Sequence, residues 1–115
     1  MEKVEVKALA RHVRMSPKKV REVVRCLPGR KAGEALDYLR LIPRKSAFYA
    51  AKTLRSAMAN ADVKGLSGQD LWIREAVVEQ GIVMRRFVPA ARGSAHPIRK
   101  KSSRIRFVLS EKLEK

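Results

Sequence analysis

The sequence is poor in the features that mark membrane proteins, disulfide scaffolds, metal sites and enzymes. No apolar run approaches the roughly 18–20 residues that a membrane-spanning helix needs. The start, Met1-Glu2-Lys3-Val4-Glu5-Val6-Lys7, alternates charge with Val and holds no signal-peptide core, so a soluble cytoplasmic protein is expected. Cys26 is the single cysteine, which excludes an internal disulfide. Together with His12 and His96 it brings the possible His and Cys ligands to three, one short of a closed zinc site, and no carboxylate is spaced to complete one. No metal or cofactor is therefore expected. Aromatics are sparse, with one Trp, two Tyr and three Phe, so platforms for stacking single-stranded bases are few.

Signs of catalysis are equally thin. His12 and His96 have nearby serines, Ser16 and Ser94, but neither pair sits in a triad spacing or a nucleophile elbow. Gly29-Arg30-Lys31 and Gly65-Leu66-Ser67-Gly68 match no phosphate-binding or dinucleotide fingerprint. Glu34 and Asp37 share a helix face with Arg30, Lys31 and Arg40, where ordinary surface ion pairs account for them. The chain does not read as an enzyme.

What the chain has in abundance is positive charge. Its 115 residues carry 27 Lys and Arg against 11 Asp and Glu, a formal net charge of +16. A hydrophobic share of 45% is ordinary for a folded domain, so this excess is not the mark of a disordered tail. At this length one domain with one modest core is expected. The combination points to a folded domain that binds a polyanion.

The pattern predicts an α+β fold. Charged and apolar residues alternate from Glu2 to Lys7, with Val4, Val6, Ala8 and Ala10 on one face, as in a half-buried strand. Ser16-Pro17 is a helix start, with Val20, Val23, Val24 and Leu27 at helical spacing and Pro28-Gly29 as the stop. A short helix follows, with Ala32, Ala35, Leu36 and Leu39 inward, and Pro43 ends it. From Arg44 to Val63 runs a stripe of Ala47, Ala50, Ala51, Leu54, Ala57, Met58 and Ala61, whose small side chains suit close packing. Leu71–Val78 and the alternation of Ile105, Phe107 and Leu109 read as strands. The expectation is a small antiparallel three-stranded sheet with three helices on one face, plus a long projecting hairpin.

That hairpin is the segment 81–104. It holds Arg85, Arg86, Arg92, Arg99, Lys100, Lys101 and Arg104, and no acid occurs between Glu79 and Glu111. Extended segments Ile82–Val88 and Ile98–Ile105 flank a turn-rich middle, Pro89 to Pro97. An arm from Gly81 to Arg92 would reach on the order of 35 Å. A two-stranded ribbon of like charges is marginal alone, so order would come from a partner that neutralises it; a flexible basic loop is the alternative. A second cluster, Arg11, Arg14, Lys18, Lys19 and Arg21, falls at the strand-to-helix junction, where a helix N-terminus offers free N–H groups to phosphate. Two separated clusters and an arm suit folded RNA better than a straight duplex. A DNA-binding module that uses the helices between Ser16 and Leu39 is the competing reading. An anionic-membrane binder would place its cations on an amphipathic helix, whereas here many lie in predicted strands.

Five short runs, in order, carry a family resemblance: Arg11 to Arg21; Gly29-Arg30-Lys31-Ala32 with Ala35; Ser56 to Ala61; Glu79-Gln80-Gly81; and Pro89 to Ala95 followed by Lys100 to Ile105. With them the chain resembles, over nearly its whole length, the bacterial large-subunit ribosomal protein L-twenty-two family. The resemblance implies a structural protein that binds large-subunit ribosomal RNA, acts in early subunit assembly and sends its hairpin inward to line the nascent-peptide exit tunnel. Its tunnel-facing tip would be Ala90, Ala91, Arg92, Gly93, Ser94, Ala95 and His96, with Arg92 the charged contact. The implied partners are ribosomal RNA, neighbouring large-subunit proteins and, transiently, the nascent polypeptide, with no membrane and no small-molecule substrate. The chain departs from the family in having Ala90 and Ser94 where a basic residue is common, and Arg104 where His is common, so its tip is less basic than usual.

Overall fold

A computed structural model describes residues 5–81, 84–89 and 95–111. The chain runs β1 (Glu5–Val13), α1 (Pro17–Val24), α2 (Ala32–Leu41), α3 (Lys45–Val63), a 3₁₀ turn (Gly68–Asp70), β2 (Trp72–Gln80), β3 (Met84–Pro89), β4 (Ala95–Lys100) and β5 (Ser103–Ser110). β5 is the middle strand of an antiparallel sheet of order β1-β5-β2, and β3 and β4 form a separate antiparallel pair. This is the α+β architecture that the periodicities predict.

The core lies between the sheet and the three helices. Ile105, Phe107 and Leu109 point into it from β5 and are fully buried, as are Val20, Leu27, Leu54 and Ile73. Phe107 is the largest of these, and its truncation to Ala would cost about 3–5 kcal/mol. The alanine stripe of α3 does what small side chains permit: Ala47, Ala50, Ala51, Ala57 and Ala61 are buried, and α3 packs on both β1 and β5. A side-chain amide also ties α3 to β1, with Asn60 Nδ2 donating to the Lys7 carbonyl at 3.0 Å.

Two β-bulges depart from simple alternation. In β1 the register skips between Ala10 and Val13, so Val6, Ala8 and Val13 all reach the core although 8 and 13 differ in parity. In β2 it skips between Ile73 and Glu75, which brings both Ile73 and Val78 inward. An extra residue on one strand turns the following side chains to the other face. β1 is thus longer than the predicted Glu2–Lys7 strand, and Arg11 and His12 sit within it at the bulge.

Two glycines have work that only glycine does easily. Gly65 (φ +80°) closes α3 in a Schellman arrangement, with Leu66 N–H donating to Ala61 O and Gly65 N–H to Asp62 O, each at 3.0 Å. Gly29 (φ +89°) turns the chain after α1 so that its N–H reaches Ile73 O at 2.8 Å, while Ile73 N–H returns to Arg30 O at 2.8 Å.

Beyond the sheet, β2 and β5 continue into the hairpin. Gly81 N–H donates to Ser102 O at 2.8 Å, and the β3–β4 register then runs from Met84 opposite Lys100 to Pro89 opposite Ala95. The expected turn-rich middle is shorter than predicted, because Pro89, Ala95, His96 and Pro97 all lie in paired strands. Both strands of a ribbon are edges, where proline is tolerated. The molecule measures 66 × 29 × 27 Å with a radius of gyration of 17.2 Å, against about 13 Å for a compact domain of this length. The difference reflects elongation along one axis.

Candidate nucleic-acid interface

The junction between β1 and α1 gathers cations around an unneutralised helix start. Ser16 has the extended N-cap conformation and Pro17 opens the helix, but the Ser16 hydroxyl makes no capping hydrogen bond and the first turn carries no acid. The first N–H groups of a helix have no partner within it, and they leave a partial positive charge there. Arg11, Arg14, Lys18 and Lys19 are all exposed around this end. The loop that holds them is fixed from behind: the buried Ser103 hydroxyl donates to the Met15 carbonyl at 2.6 Å.

Sequence reasoning placed the start of α3 near Arg44 but missed that it lies beside the start of α1. α3 also begins with no side-chain cap and no acid in its first turn. A cavity of about 350 Å³ is lined by Met15, Lys19 and Glu22 from the α1 side and by Arg44, Lys45 and Ser46 from the start of α3. Glu22 is its one acid, and it faces Arg44 at 3.3 Å. The site thus keeps Lys19 and Lys45 in its lining beside two positive helix ends, with the Lys45 ammonium 5.9 Å from the Tyr49 ring centre. No local sequence signal joins positions 19 and 45; only the packing of α1 on α3 does.

Arg21 differs from its neighbours. Its Nε and Nη2 donate to the Val78 carbonyl oxygen at 3.2 and 3.0 Å, so its guanidinium is engaged with β2.

The arm brings the other predicted cations into register. Arg85 lies opposite Arg99, Arg86 opposite Ile98 and Met84 opposite Lys100 along the β3–β4 backbone. Lys101 is exposed at the base, and Arg104, also exposed, stands across from Glu79. Of the predicted tip, Ala95 and His96 begin β4, paired with Pro89 and Val88; Ala90, Ala91, Arg92, Gly93 and Ser94 lie outside the described residues.

Two other surfaces are mixed in sign. On the face of the sheet away from the helices, Glu5 pairs with Arg74, and Glu75 lies 3.8 Å from Arg106. On α2, Glu34 and Asp37 are exposed, and Asp37 lies 3.9 Å from Arg40. Near its end Tyr38 has its phenol pushed above the ordinary value by a hydrogen bond with Cys26 and by Coulombic interaction with it, while Arg30, 4.9 Å from the ring centre, pulls the other way. Among the described residues no three His, Cys, Asp or Glu side chains converge on a common point, and no helix is long and apolar enough to cross a membrane.

The comparisons with known proteins agree on one family. Residues 8–110 match ribosomal protein L22p/L17e. The large ribosomal subunit protein uL22 of Opitutus terrae is 56% identical over 109 residues, covering 94% of this chain and 96% of that one. The uL22 of Syntrophotalea carbinolica is 46% identical over 110 residues, covering 95% and 100%. That of Aquifex pyrophilus is 43% identical over 107 residues, covering 93% and 80%.

Proposed function

Because this chain belongs to the ribosomal protein L22p/L17e family, whose role is structural and not enzymatic, we propose that it binds large-subunit ribosomal RNA through two basic surfaces and supports assembly of that subunit. Its relatives are named as proteins of the large ribosomal subunit, and this chain takes the same place, among neighbouring subunit proteins. The observation that carries the RNA reading is the junction of α1 and α3: exposed Arg11, Arg14, Lys18 and Lys19 surround a helix start with neither cap nor acid. Phosphate oxygens satisfy orphan N–H groups and cations together.

In this reading residues 1–115 are one RNA-binding domain, and 81–104 is its arm. Arg85, Arg86, Arg92, Arg99, Lys100, Lys101 and Arg104 neutralise phosphates along the arm, and the RNA that surrounds the ribbon offsets the repulsion between facing cations. The tip, residues 90–96, lines the nascent-peptide exit tunnel and meets the growing chain, as the family resemblance implies. Arg21 belongs to the RNA surface only in part, since its guanidinium already serves Val78.

Sedimentation of a lightly tagged chain from cell lysate tests the assembly role. Comigration with large subunits through a high-salt wash is expected; recovery only at the top of the gradient, or with chromosomal DNA, would overturn it. If about six cations neutralise phosphates, the log–log salt slope of RNA binding should be on the order of −4 to −5. A slope near zero would remove the electrostatic basis.

A further inference from the structure

A further cationic surface adjoins the junction and shares Arg11 and Lys45 with it. Between β1 and the flank of α3 runs a groove of about 270 Å³, floored by Leu9, Ala10 and Val13 and edged by His12, Tyr49 and Lys52. The bulge after Ala10 makes room for it, and α3 presents Lys45, Tyr49, Lys52 and Ser56 along one flank at helical spacing. The two walls, residues 6–13 and 45–61, contain Lys7, Arg11, Lys45, Lys52 and Arg55 and no Asp or Glu. The acids at their ends are occupied elsewhere: Glu5 pairs with Arg74, and Asp62 accepts from Gly68 N–H at 3.1 Å.

The size and lining of the groove select its occupant. Its volume lies at the lower bound of the roughly 300–1,000 Å³ of ordinary small-molecule sites, room for one flat group. An apolar floor, two aromatic edges and a flanking ammonium suit a base taken out of its stack with its phosphate alongside. We infer that the β1–α3 groove holds one unstacked nucleotide of the ribosomal RNA, its base over Leu9 and Val13 between His12 and Tyr49 and its phosphate on Lys52. This rests on the RNA-binding reading above.

The test uses the full chain and transcribed large-subunit ribosomal RNA, by filter binding across a salt series. Ser56→Leu fills the slot from an exposed position without changing charge, and should weaken binding about tenfold with the salt slope unchanged. Lys52→Ala should weaken it and reduce the slope by about one. Thermal melting of each variant checks that the fold is kept. Ultraviolet cross-linking with mass spectrometry should place one nucleotide on the peptides that hold His12 or Tyr49. If both variants bind as the parent chain does while Arg14→Ala and Lys18→Ala weaken binding, the groove assignment falls and the RNA reading stands. If the parent chain shows no salt-dependent RNA binding, the RNA reading falls first. If the groove variants bind RNA normally yet fail to enter subunits, the slot serves a neighbouring protein and the inference is overturned.

Discussion

Arg21 holds the carbonyl oxygen of Val78 with two nitrogens, Nε at 3.2 Å and Nη2 at 3.0 Å, and so ties α1 to β2 across 57 residues of sequence. A charged donor on a part-buried carbonyl is worth about 1.5–3 kcal/mol. Arg21→Ala should therefore lower the urea midpoint by a corresponding amount. Arg21→Lys should recover only part of it, because one ammonium cannot reproduce a planar fork. Full recovery by Lys would mean that charge alone, and not the two-nitrogen geometry, matters there.

Close backbone approach and positive φ make separable demands on glycine. A Cβ at Gly68 would lie 2.6 Å from Met58 O and 2.9 Å from Met58 Cα, both backbone atoms of α3. Gly68→Ala must push the 3₁₀ turn off the helix, at about 1–3 kcal/mol. At Gly29 a Cβ meets nothing within 4 Å, and only its φ of +89° opposes a side chain, at about 1–2 kcal/mol. Filling Gly29 with Asn, which tolerates that region, should recover stability relative to Ala, whereas Asn at Gly68 should be worse than Ala. Equilibrium unfolding of the four variants reads both orders directly.

The phenol of Tyr38 should ionise above its ordinary value of 10.0, with Cys26 as the main cause. In a Tyr49→Phe background, where Tyr38 is the single phenol, phenolate absorbance should rise later with pH than in a free tyrosine. Cys26→Ala should move the transition down, and Arg30→Ala should move it further up. The sign for stability follows. Folding favours the protonated phenol, so this contribution is present below pH 10 and fades as pH rises through the raised value. An unshifted Tyr38 in the parent chain would show that the Cys26 contact does not persist in solution.

The helices were legible because burial at a period near 3.6 leaves its trace in Val20, Val23, Val24 and Leu27, and again in the alanines of α3. The arm was legible because no acid interrupts its charges. The bulges were not: Ile73 and Val78 stand five apart, which no period of two can place on one face. Nor was the role of Arg21, since nothing local distinguishes a cation that will meet a carbonyl 57 positions away from the Lys18 and Lys19 beside it. The flank of α3 did carry a signal, Lys45, Lys52 and Arg55 with no acid between them. The alanine stripe on the opposite face is enough to account for the helix, so those cations carry no local mark of a groove. Long-range packing supplies what local patterns lack.

The facing pair Arg85 and Arg99 offers a test that separates the folding of the arm from its use. Like charges at opposed positions of an antiparallel pair are destabilising, and an opposite pair there contributes roughly 0.2–1 kcal/mol. Arg85→Glu converts repulsion to attraction at that register, so amides of β3 and β4 should exchange more slowly in the free protein. The same substitution removes one cation and adds an anion on a surface proposed to meet phosphate, so RNA affinity and incorporation into subunits should fall. Arg85→Gln should give a smaller loss of both repulsion and affinity. Slower exchange together with weaker RNA binding would mean that the cations of the ribbon are kept for the polyanion at the expense of the arm's own stability. Faster exchange in the Glu variant would mean that Arg85 supports the hairpin by contacts other than charge, and the basic ribbon would need a different account.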